Sequence, residues 1–368
     1  MSLRVGFFGY RFMGKAHANA LARLPMFFPD APQVDRHVLI GRNETALAEY
    51  ADRLGFTTTA TDLGAVLNDI DILYTLTPNH LHAEPSIAAL EQDVHVLCEK
   101  PLAATRSGAE RMADAASYTK ATASVAFNYR FVPALQYAKR YIHDGNLGEI
   151  RHVHVRYLQD WLVDPEEPWS WRNDEDSAGT GALGDLGSHT IDMAHYLVGD
   201  ISRVSGALTT FIDERPTDSG TSRQVTVDDA ATAQLEFDSG AMGVLETSRV
   251  SPGHKNDLTI EIHGTAGSLR FSLERLNELE ILRSDGRGYE RILVTDADDP
   301  YIAPWWPPGH VLGWEHTFVH ENYEFLRTVT GAADETSVAS FSDGLSTQRV
   351  IDAIQGAADS GTWVDVDS

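Results

Sequence analysis

The chain has 368 residues, of which 42% are hydrophobic and 23% charged, and its formal net charge is −25. Its length favours two domains, and its composition is that of a soluble globular protein. The negative charge excludes nucleic acid as a partner, and no apolar run approaches the roughly 20 residues that span a bilayer. A single cysteine, Cys98, excludes an intrachain disulfide and a multi-cysteine zinc site.

The first 127 residues alternate short apolar segments with amphipathic ones. This pattern predicts a doubly wound parallel sheet in an α/β fold. Prolines at 25, 29 and 32 indicate a loop after the first helix. The predicted strands cover residues 3–9, 37–40, 71–76, 94–98 and 123–127, and the predicted helices cover 14–24, 45–54, 85–91 and 107–119.

The pattern changes near residue 148, where closely spaced alternating segments predict a large, mainly antiparallel sheet with one solvated face. We therefore divide the chain into an N-terminal α/β domain (1–127) and a C-terminal α+β domain (128–368). Residues 213–224 are predicted to be an exposed loop, and residues 304–308, which include two tryptophans, a loop or an oligomer contact. Strands are predicted at 151–158, 230–237, 241–248 and 258–262, and helices at 314–328 and 346–358.

A turn between the first strand and the first helix has glycine at its two ends, Gly9 and Gly14. Such a turn lets a pyrophosphate approach the start of a helix. Arg11 stands where the G-x-G-x-x-G pattern has its central glycine, and its guanidinium could bind a phosphate oxygen instead. An ordinary strand-to-helix turn is the alternative.

The residues after the second strand, Gly41-Arg42-Asn43, include no carboxylate that would bind the ribose hydroxyls of NAD. Arg42 could pair with a 2′-phosphate, so the cofactor is NAD or NADP with a lean toward NADP. The alternative is that Arg42 stacks on adenine or faces solvent.

Two further segments carry chemistry: Glu99-Lys100-Pro101 closes a predicted strand, and Asp185-Leu186-Gly187-Ser188-His189 opens a predicted helix. With these segments the chain resembles the Gfo/Idh/MocA family, the glucose–fructose and inositol dehydrogenase group. The resemblance covers most of the first 200 residues. It is carried by residues 6–20, 77–82, 99–102, 128–131, 148–150 and 181–189.

The resemblance implies a Rossmann domain followed by a domain with a large open sheet that mediates homodimers or homotetramers. It also implies oxidation or reduction of a secondary alcohol on a sugar, anhydrosugar or cyclitol. Lys100 would contact both the cofactor and the substrate, and Asp185 and His189 would face the substrate. By the same motifs, the cofactor would be lined by Thr77, Pro78, Asn79 and His82. Together with the turn residues and Arg42, the full set of candidate cofactor contacts is Gly9, Arg11, Phe12, Met13, Gly14, Arg42, Thr77, Pro78, Asn79, His82, Glu99, Lys100 and Asn128.

Hydride transfer from an alcohol needs a base for the hydroxyl proton, and histidine suits this role near neutral pH. We favour His189 as the base, with Lys100 stabilising the developing alkoxide. Lys100 could itself accept the proton if burial depresses its pKa, and Asp185, four residues before His189, could orient the imidazole. The structural alternatives are a surface lysine, a helix-capping aspartate and a core histidine.

Trp171 and Arg172 are weaker substrate-binding candidates, since sugar faces stack on indole rings. Asp160 and Trp161 are weaker still, as is a late cluster of His310, Trp314 and His316. No metal site is expected: His316 and His320 lack the H-E-x-x-H pattern and are more simply explained as surface histidines. Cys98 fits packing better than nucleophilic catalysis.

We therefore predict a cytoplasmic NAD(P)-dependent dehydrogenase of a small polyol or sugar. The N-terminal sequence enters a strand without a secretory signal pattern. A keto-sugar reductase running the same step backward is the closest alternative. A non-catalytic dinucleotide-binding regulatory protein is a second, but such a protein would be expected to lose Lys100 or His189.

Overall fold

The computed structural model of the chain describes residues 2–333 and 338–367. The chain forms two compact units. The first comprises Met1–Phe131 and Gly313–Leu345, and the second comprises Val132–Leu312 and Ser346–Ser368. The domain boundary predicted at residue 127 stays a prediction. The units differ from it in one respect, because the segment that begins at Gly313 groups with the N-terminal part of the chain.

The first unit is built on a parallel sheet whose strands follow one another with helices between them. Within the described residues this sheet has seven strands in the order β17-β6-β5-β4-β1-β2-β3, and only β17 runs antiparallel to its neighbour. The strands are β1 (Leu3–Phe8), β2 (Val34–Ile40), β3 (Thr58–Ala60), β4 (Ile72–Thr75), β5 (His95–Cys98), β6 (Ala123–Val125) and β17 (Ala339–Ser340).

The strand order β6-β5-β4-β1-β2-β3 is that of a Rossmann sheet, which confirms the predicted fold class. Residues of β4 are all buried, as expected of a parallel strand covered on both faces. The helices are α1 (Phe12–Phe27), α2 (Glu44–Leu54), α3 (Ala83–Leu90), α4 (Arg106–Ser117) and, from the later segment, α8 (Trp314–Val329).

Pro25 does not end the first helix, although the sequence predicted a loop from this residue. It lies inside α1, which continues to Phe27, and the backbone N–H of Phe28 still donates to the carbonyl of Leu24 at 2.8 Å. Proline removes only its own N–H from the ladder, and so close to the helix end the remaining bonds carry the last turn.

The second unit contains a large sheet that is antiparallel except for one pair. Within the described residues it has nine strands in the order β16-β15-β14-β13-β7-β12-β11-β8-β18, and β7 and β12 are parallel. The strands are β7 (Ile150–Leu158), β8 (Ile201–Thr209), β11 (Ala230–Phe237), β12 (Met242–Ser248), β13 (Asp257–Gly264), β14 (Gly267–Ser272), β15 (Glu278–Arg283), β16 (Glu290–Leu293) and β18 (Val364–Asp365).

One face of this sheet is buried and the other is open. Along β11, and along β12 as far as Thr247, buried residues alternate with exposed or partly exposed ones, which is the pattern of a half-buried antiparallel strand. The helices here are α5 (Pro133–His143), α6 (Glu175–Ala178), α7 (Ser188–Leu197) and α9 (Phe341–Ser360), the first five residues of which belong to the first unit. In the described part of the chain no helix is long and apolar enough to cross a membrane.

The stretch 213–224, predicted to be a loop, instead contains a two-stranded hairpin. Its strands are β9 (Glu214–Pro216) and β10 (Ser222–Gln224). The prediction was wrong because one residue of this polar stretch is anchored in the interior. Arg215 is only 1% exposed and donates to the backbone carbonyls of Leu162 and Asp164. In the loop 304–308, Trp305 is buried and Trp306 is half exposed.

Candidate functional site

The turn between β1 and α1 has the shape that a dinucleotide requires. Gly9 has a φ of +117°, and a Cβ there would lie 2.4 Å from the carbonyl oxygen of Leu76. A Cβ at Gly14 would lie 2.9 Å from the carbonyl oxygen of Gly9. Both glycines are therefore required for the backbone to close up at the start of a 16-residue helix, where unpaired N–H groups favour an anion.

Arg11 occupies the N-cap position of α1, and its side chain makes no capping hydrogen bond. Arg11 and Phe12 are exposed at this turn, and Met13 is half-buried. The ring of Phe12 stacks on that of Trp314, with centroids 5.6 Å apart. These residues fit a bound pyrophosphate, and their contact with cofactor stays a prediction.

The segment after β2 combines a close approach with an exposed cation. A Cβ at Gly41 would lie 2.5 Å from the ring of Tyr10, so the glycine makes room for that ring. Arg42 is exposed. Asn43 caps α2 by accepting a hydrogen bond from the backbone N–H of Ala46 at 3.0 Å.

The loop after β4 is organised by a histidine that no solvent reaches. His82 is fully buried, its Nε2 lies 2.8 Å from the carbonyl oxygen of Thr77, and its Nδ1 lies 3.0 Å from that of Pro101. Burial, the largest effect, lowers the pKa of His82, against the opposing effect of the two carbonyls. Within the same loop Pro78 is half-buried and Asn79 is buried.

The segment after β5 holds the predicted lysine at the carboxyl end of the parallel sheet. Glu99 is 4% exposed, its Oε1 lies 3.0 Å from Nε2 of His17, and its Oε2 accepts from the backbone N–H of Lys100 at 3.1 Å. Lys100 itself is half-buried. Burial raises the pKa of the neighbouring Cys98 thiol, which is consistent with packing and not with a nucleophile.

His17, which contacts Glu99, belongs to a hydrogen-bonded set with Asn322 and Tyr74 that was not predicted from the sequence. Tyr74 donates to Oδ1 of Asn322 at 2.7 Å, and Nδ2 of Asn322 lies 3.1 Å from Nδ1 of His17. The only available signal was a histidine on the apolar face of α1, beside Gly14, Ala18 and Leu21. Asn322 could not have been found, because it is more than 300 residues away from His17 in sequence.

Asn128 was also predicted to line the cofactor. It is buried, and its Nδ2 donates to Oγ1 of Thr317 at 2.8 Å within the first unit. Its contact with a cofactor stays a prediction.

In the second unit, Asp185 and His189 lie four residues apart on continuous helical backbone. Residues Leu183–Gly187 form a π-helical turn that leads directly into α7. Such turns frequently mark functional sites. Asp185 is half-buried and His189 is 6% exposed, with its ring 5.9 Å from that of Tyr157. Asp185 lies inside this turn and is not at a capping position.

A buried carboxylate fixes the start of this segment. Asp228 accepts hydrogen bonds from the backbone N–H groups of Gly181 at 2.6 Å and Leu183 at 2.8 Å. A Cβ at Gly181 would lie 1.7 Å from the carbonyl oxygen of Asp228, so this position requires glycine. Burial raises the pKa of Asp228, while Arg249 opposes the shift.

The weaker substrate-binding candidates differ in their burial and in their contacts. The guanidinium of Arg172 lies 4.6 Å from the ring centroid of Trp171, and both residues are half-buried. Asp160 is held by the ammonium group of Lys255 at 2.6 Å, while Trp161 is 39% exposed. His310 belongs to the second unit, whereas Trp314 and His316 belong to the first.

His316 and His320 are not surface histidines, so that interpretation was wrong. Both lie on the inner face of α8, where His320 is fully buried and its Nδ1 lies 3.0 Å from the carbonyl oxygen of Phe131. Burial lowers the pKa of His320 to about 3. Among the residues that the structure describes, no group of three or more histidine, cysteine or acidic side chains could hold a metal ion.

Known proteins match this chain over both units. Residues 3–127 match a family described as oxidoreductases with an NAD-binding Rossmann fold, and residues 135–270 match the GFO/IDH/MocA C-terminal domain. Levoglucosan dehydrogenase of Pseudarthrobacter phenanthrenivorans is 41% identical over 99% of this chain and 98% of its own length. Glucose-6-phosphate 3-dehydrogenase of Bacillus subtilis is 26% identical over 95% of the chain and 94% of its own length.

Solved structures agree with these matches. An oxidoreductase domain protein from Kribbella flavida superposes with a TM-score of 0.96 at 44% identity over the whole of both chains. A levoglucosan dehydrogenase in complex with NADH and levoglucosan superposes with a TM-score of 0.95 at 40% identity, again over the whole of both chains. The chain described here belongs to the Gfo/Idh/MocA family of oxidoreductases with an NAD-binding Rossmann domain.

Proposed function

We propose that this enzyme oxidises a secondary alcohol of a sugar or anhydrosugar with NAD(P), and that levoglucosan is its first candidate substrate. The similarity to levoglucosan dehydrogenase over 99% of the chain carries the proposal. The first unit supports it, since the glycine turn after β1 and Lys100 after β5 lie at the carboxyl ends of strands in one parallel sheet. Open α/β sheets bind their ligands at this edge.

The reaction removes a hydride from the carbinol carbon and a proton from its hydroxyl group. A bound oxidised nicotinamide would supply the hydride acceptor, and the turn after β1 with Lys100 after β5 would hold it. His189 takes the hydroxyl proton, and Asp185, four residues earlier, holds the imidazole or a second substrate hydroxyl. Lys100 stabilises the negative charge that develops on the oxygen. Assignment of the proton to Lys100 instead remains the alternative within the same mechanism.

Trp171 and Arg172 are proposed to bind the sugar ring. The two side chains are paired, with the guanidinium 4.6 Å from the indole ring centroid, so a ring hydroxyl and an apolar sugar face could be bound next to each other.

Two observations bear on the choice of cofactor, and they point in opposite directions. NADH is present in the structure of the levoglucosan dehydrogenase that resembles this chain. Arg42, however, is exposed after β2, where a cation can pair with a 2′-phosphate. We therefore propose that the enzyme accepts both cofactors and that Arg42 provides the affinity for NADP.

We further propose a cytoplasmic homo-oligomer that associates through the open face of the nine-stranded sheet. The residues of that face include Met242, which is 61% exposed, and Val244, which is 39% exposed. Beside Val244 lies a groove of about 390 Å³ whose walls carry both signs of charge, including Glu246 and Arg270. A mixed, partly apolar surface of this kind is suited to pairing with a second copy.

A substrate panel tests the proposed function. Purified enzyme is mixed with NAD or NADP and with levoglucosan, hexoses, pentoses and inositols, and NAD(P)H is followed by absorbance. The same panel is repeated in reverse with keto sugars and NAD(P)H. We expect turnover with an anhydrosugar or pyranose. Cofactor binding without turnover of any sugar would instead support the regulatory, non-catalytic alternative.

A further inference from the structure

A directed chain of hydrogen bonds fixes the tautomer of His17. Nδ2 of Asn322 donates to the carbonyl oxygen of Phe318 at 2.7 Å, and since that oxygen can only accept, the orientation of the amide is determined. The second hydrogen on Nδ2 therefore points to Nδ1 of His17, 3.1 Å away, which must be the acceptor. The proton of the neutral His17 ring is then on Nε2, directed at Oε1 of Glu99 at 3.0 Å.

Glu99 transmits this constraint to the next residue. Its carboxylate is nearly inaccessible to solvent, with His17 on one oxygen and the backbone N–H of Lys100 on the other. A buried carboxylate is stable only when its oxygens accept hydrogen bonds, so loss of either donor would move it. The position of the Lys100 backbone is thus tied to the orientation of the His17 ring.

His82 holds the same segment from its other end. The buried ring lies between the carbonyl oxygens of Thr77, after β4, and Pro101, after β5. A neutral ring donates to only one of these oxygens, but its contacts with both pack the loop predicted to line the cofactor against the residue that follows Lys100.

We infer that His17 and His82 are positioning residues for Lys100: His17 acts through Glu99 on one side of it, and His82 acts through Pro101 on the other. The inference rests on the proposed function, because it concerns where the lysine ammonium group is presented. It also gives Glu99 a role other than cofactor contact. Misplacement of a catalytic group by about 1 Å can cost roughly 100-fold in rate, so the effect of these histidines should be large.

The test compares His17→Leu with His17→Gln. The leucine variant removes the donor to Glu99, whereas a glutamine amide can place an N–H close to the position of Nε2. We expect kcat of His17→Leu to fall by about 10- to 100-fold, with the affinity for NADH unchanged and the pH profile of kcat shifted. His17→Gln should recover most of the rate and the wild-type profile. His143→Leu, at an 85% exposed histidine of the second unit, is the matched control.

Glu99→Gln supplies a second test that does not depend on His17→Leu folding. It is nearly isosteric, but an amide group cannot accept hydrogen bonds at both positions, so either His17 or the Lys100 backbone loses its acceptor. We expect kcat to fall while the dissociation constant of NADH stays near that of the wild type. A raised dissociation constant with unchanged kcat would show that Glu99 serves the cofactor and would overturn the inference.

His82→Leu should behave differently from His17→Leu, because it releases both loops. We expect weaker NADH binding together with a lower kcat. Each rate is divided by the concentration of enzyme that is folded and binds NADH. Thermal unfolding measures the folded fraction, and fluorescence titration measures the fraction that binds NADH. If wild-type enzyme turns over sugar and both histidine-to-leucine variants retain its kcat, the inference fails alone. If wild-type enzyme turns over no sugar, the proposed function fails with it.

Discussion

At the scale of single residues, the candidate site contains polar groups whose partners are separated widely in sequence. Short motifs were enough to predict Glu99, Lys100, Asp185 and His189, because the residues of each motif lie within a few positions of each other in sequence. The groups that hold them were not predicted. Asp228 supports Gly181 and Leu183 from more than 40 positions away, and Asn322 supports His17 from more than 300. Tertiary contacts of this kind leave no local pattern to detect.

Arg42→Asp tests the choice of cofactor at this scale. Removing the cation and adding a carboxylate should repel a 2′-phosphate and favour ribose hydroxyls. We expect the ratio of kcat/KM for NADP to that for NAD to fall at least tenfold, a change of about 1.4 kcal/mol in relative transition-state binding.

Initial rates measured over a range of concentrations of each cofactor, at saturating sugar, give kcat and KM for both and hence this ratio. Arg53→Asp is the control, since Arg53 is an exposed arginine on α2 that pairs with Glu49. An unchanged ratio in Arg42→Asp would mean that this side chain faces solvent and does not contact the cofactor.

At the scale of elements, the periodicity of hydrophobic residues predicted most strands and helices. The elements that were missed contain residues whose burial does not follow from this periodicity. β11 was predicted at its observed bounds, because alternation and burial coincide there. The hairpin at 214–224 was missed because a polar stretch hides one buried arginine, Arg215. Helix α8 was predicted to exist, but the burial of its histidines depends on contacts with residues near Phe131 that the sequence does not reveal.

His320 on α8 makes folding stability dependent on pH. In the folded chain its pKa is about 3, against 6.5 for an exposed histidine. Below pH 6.5 the unfolded chain therefore binds a proton that the folded chain does not, and stability is lost as the pH falls. Between that pH and about pH 5 this one group should cost about 2 kcal/mol.

His320→Asn checks this prediction, because its amide can still donate to the carbonyl of Phe131 but does not titrate. Denaturant unfolding of both proteins across this pH range should give a shallower dependence for the variant by about one proton. Equal slopes for the two proteins would show that His320 does not contribute.

At the scale of the whole molecule, acidic residues outnumber basic ones by 54 to 29. Repulsion among these charges opposes the compact state, and dissolved ions screen it. We expect the free energy of unfolding to be lower in dilute buffer than in molar potassium chloride. This acidic composition predicts a surface adapted to a saline environment. Thermal unfolding at several concentrations of potassium chloride checks the prediction, and unchanged midpoints would count against it.

The open face of the large sheet makes a second prediction at this scale. Val244→Lys puts a cation into the proposed contact, whereas Val311→Lys alters another exposed valine outside the sheet. In size-exclusion chromatography with light scattering, we expect the wild type and Val311→Lys to have the mass of a dimer or tetramer. We expect Val244→Lys to have the mass of a monomer. A monomeric wild type would exclude this interface.

Turnover of levoglucosan by Lys100→Met, His189→Ala and the double variant tests the central claim most directly, with NADH binding measured alongside. Groups that act on one reacting hydroxyl are strongly non-additive. We predict that each single change lowers turnover by roughly 100- to 10,000-fold, that NADH still binds His189→Ala as it binds the wild type, and that the double variant is no slower than the slower single variant. Turnover by His189→Ala at the wild-type rate would contradict the mechanism.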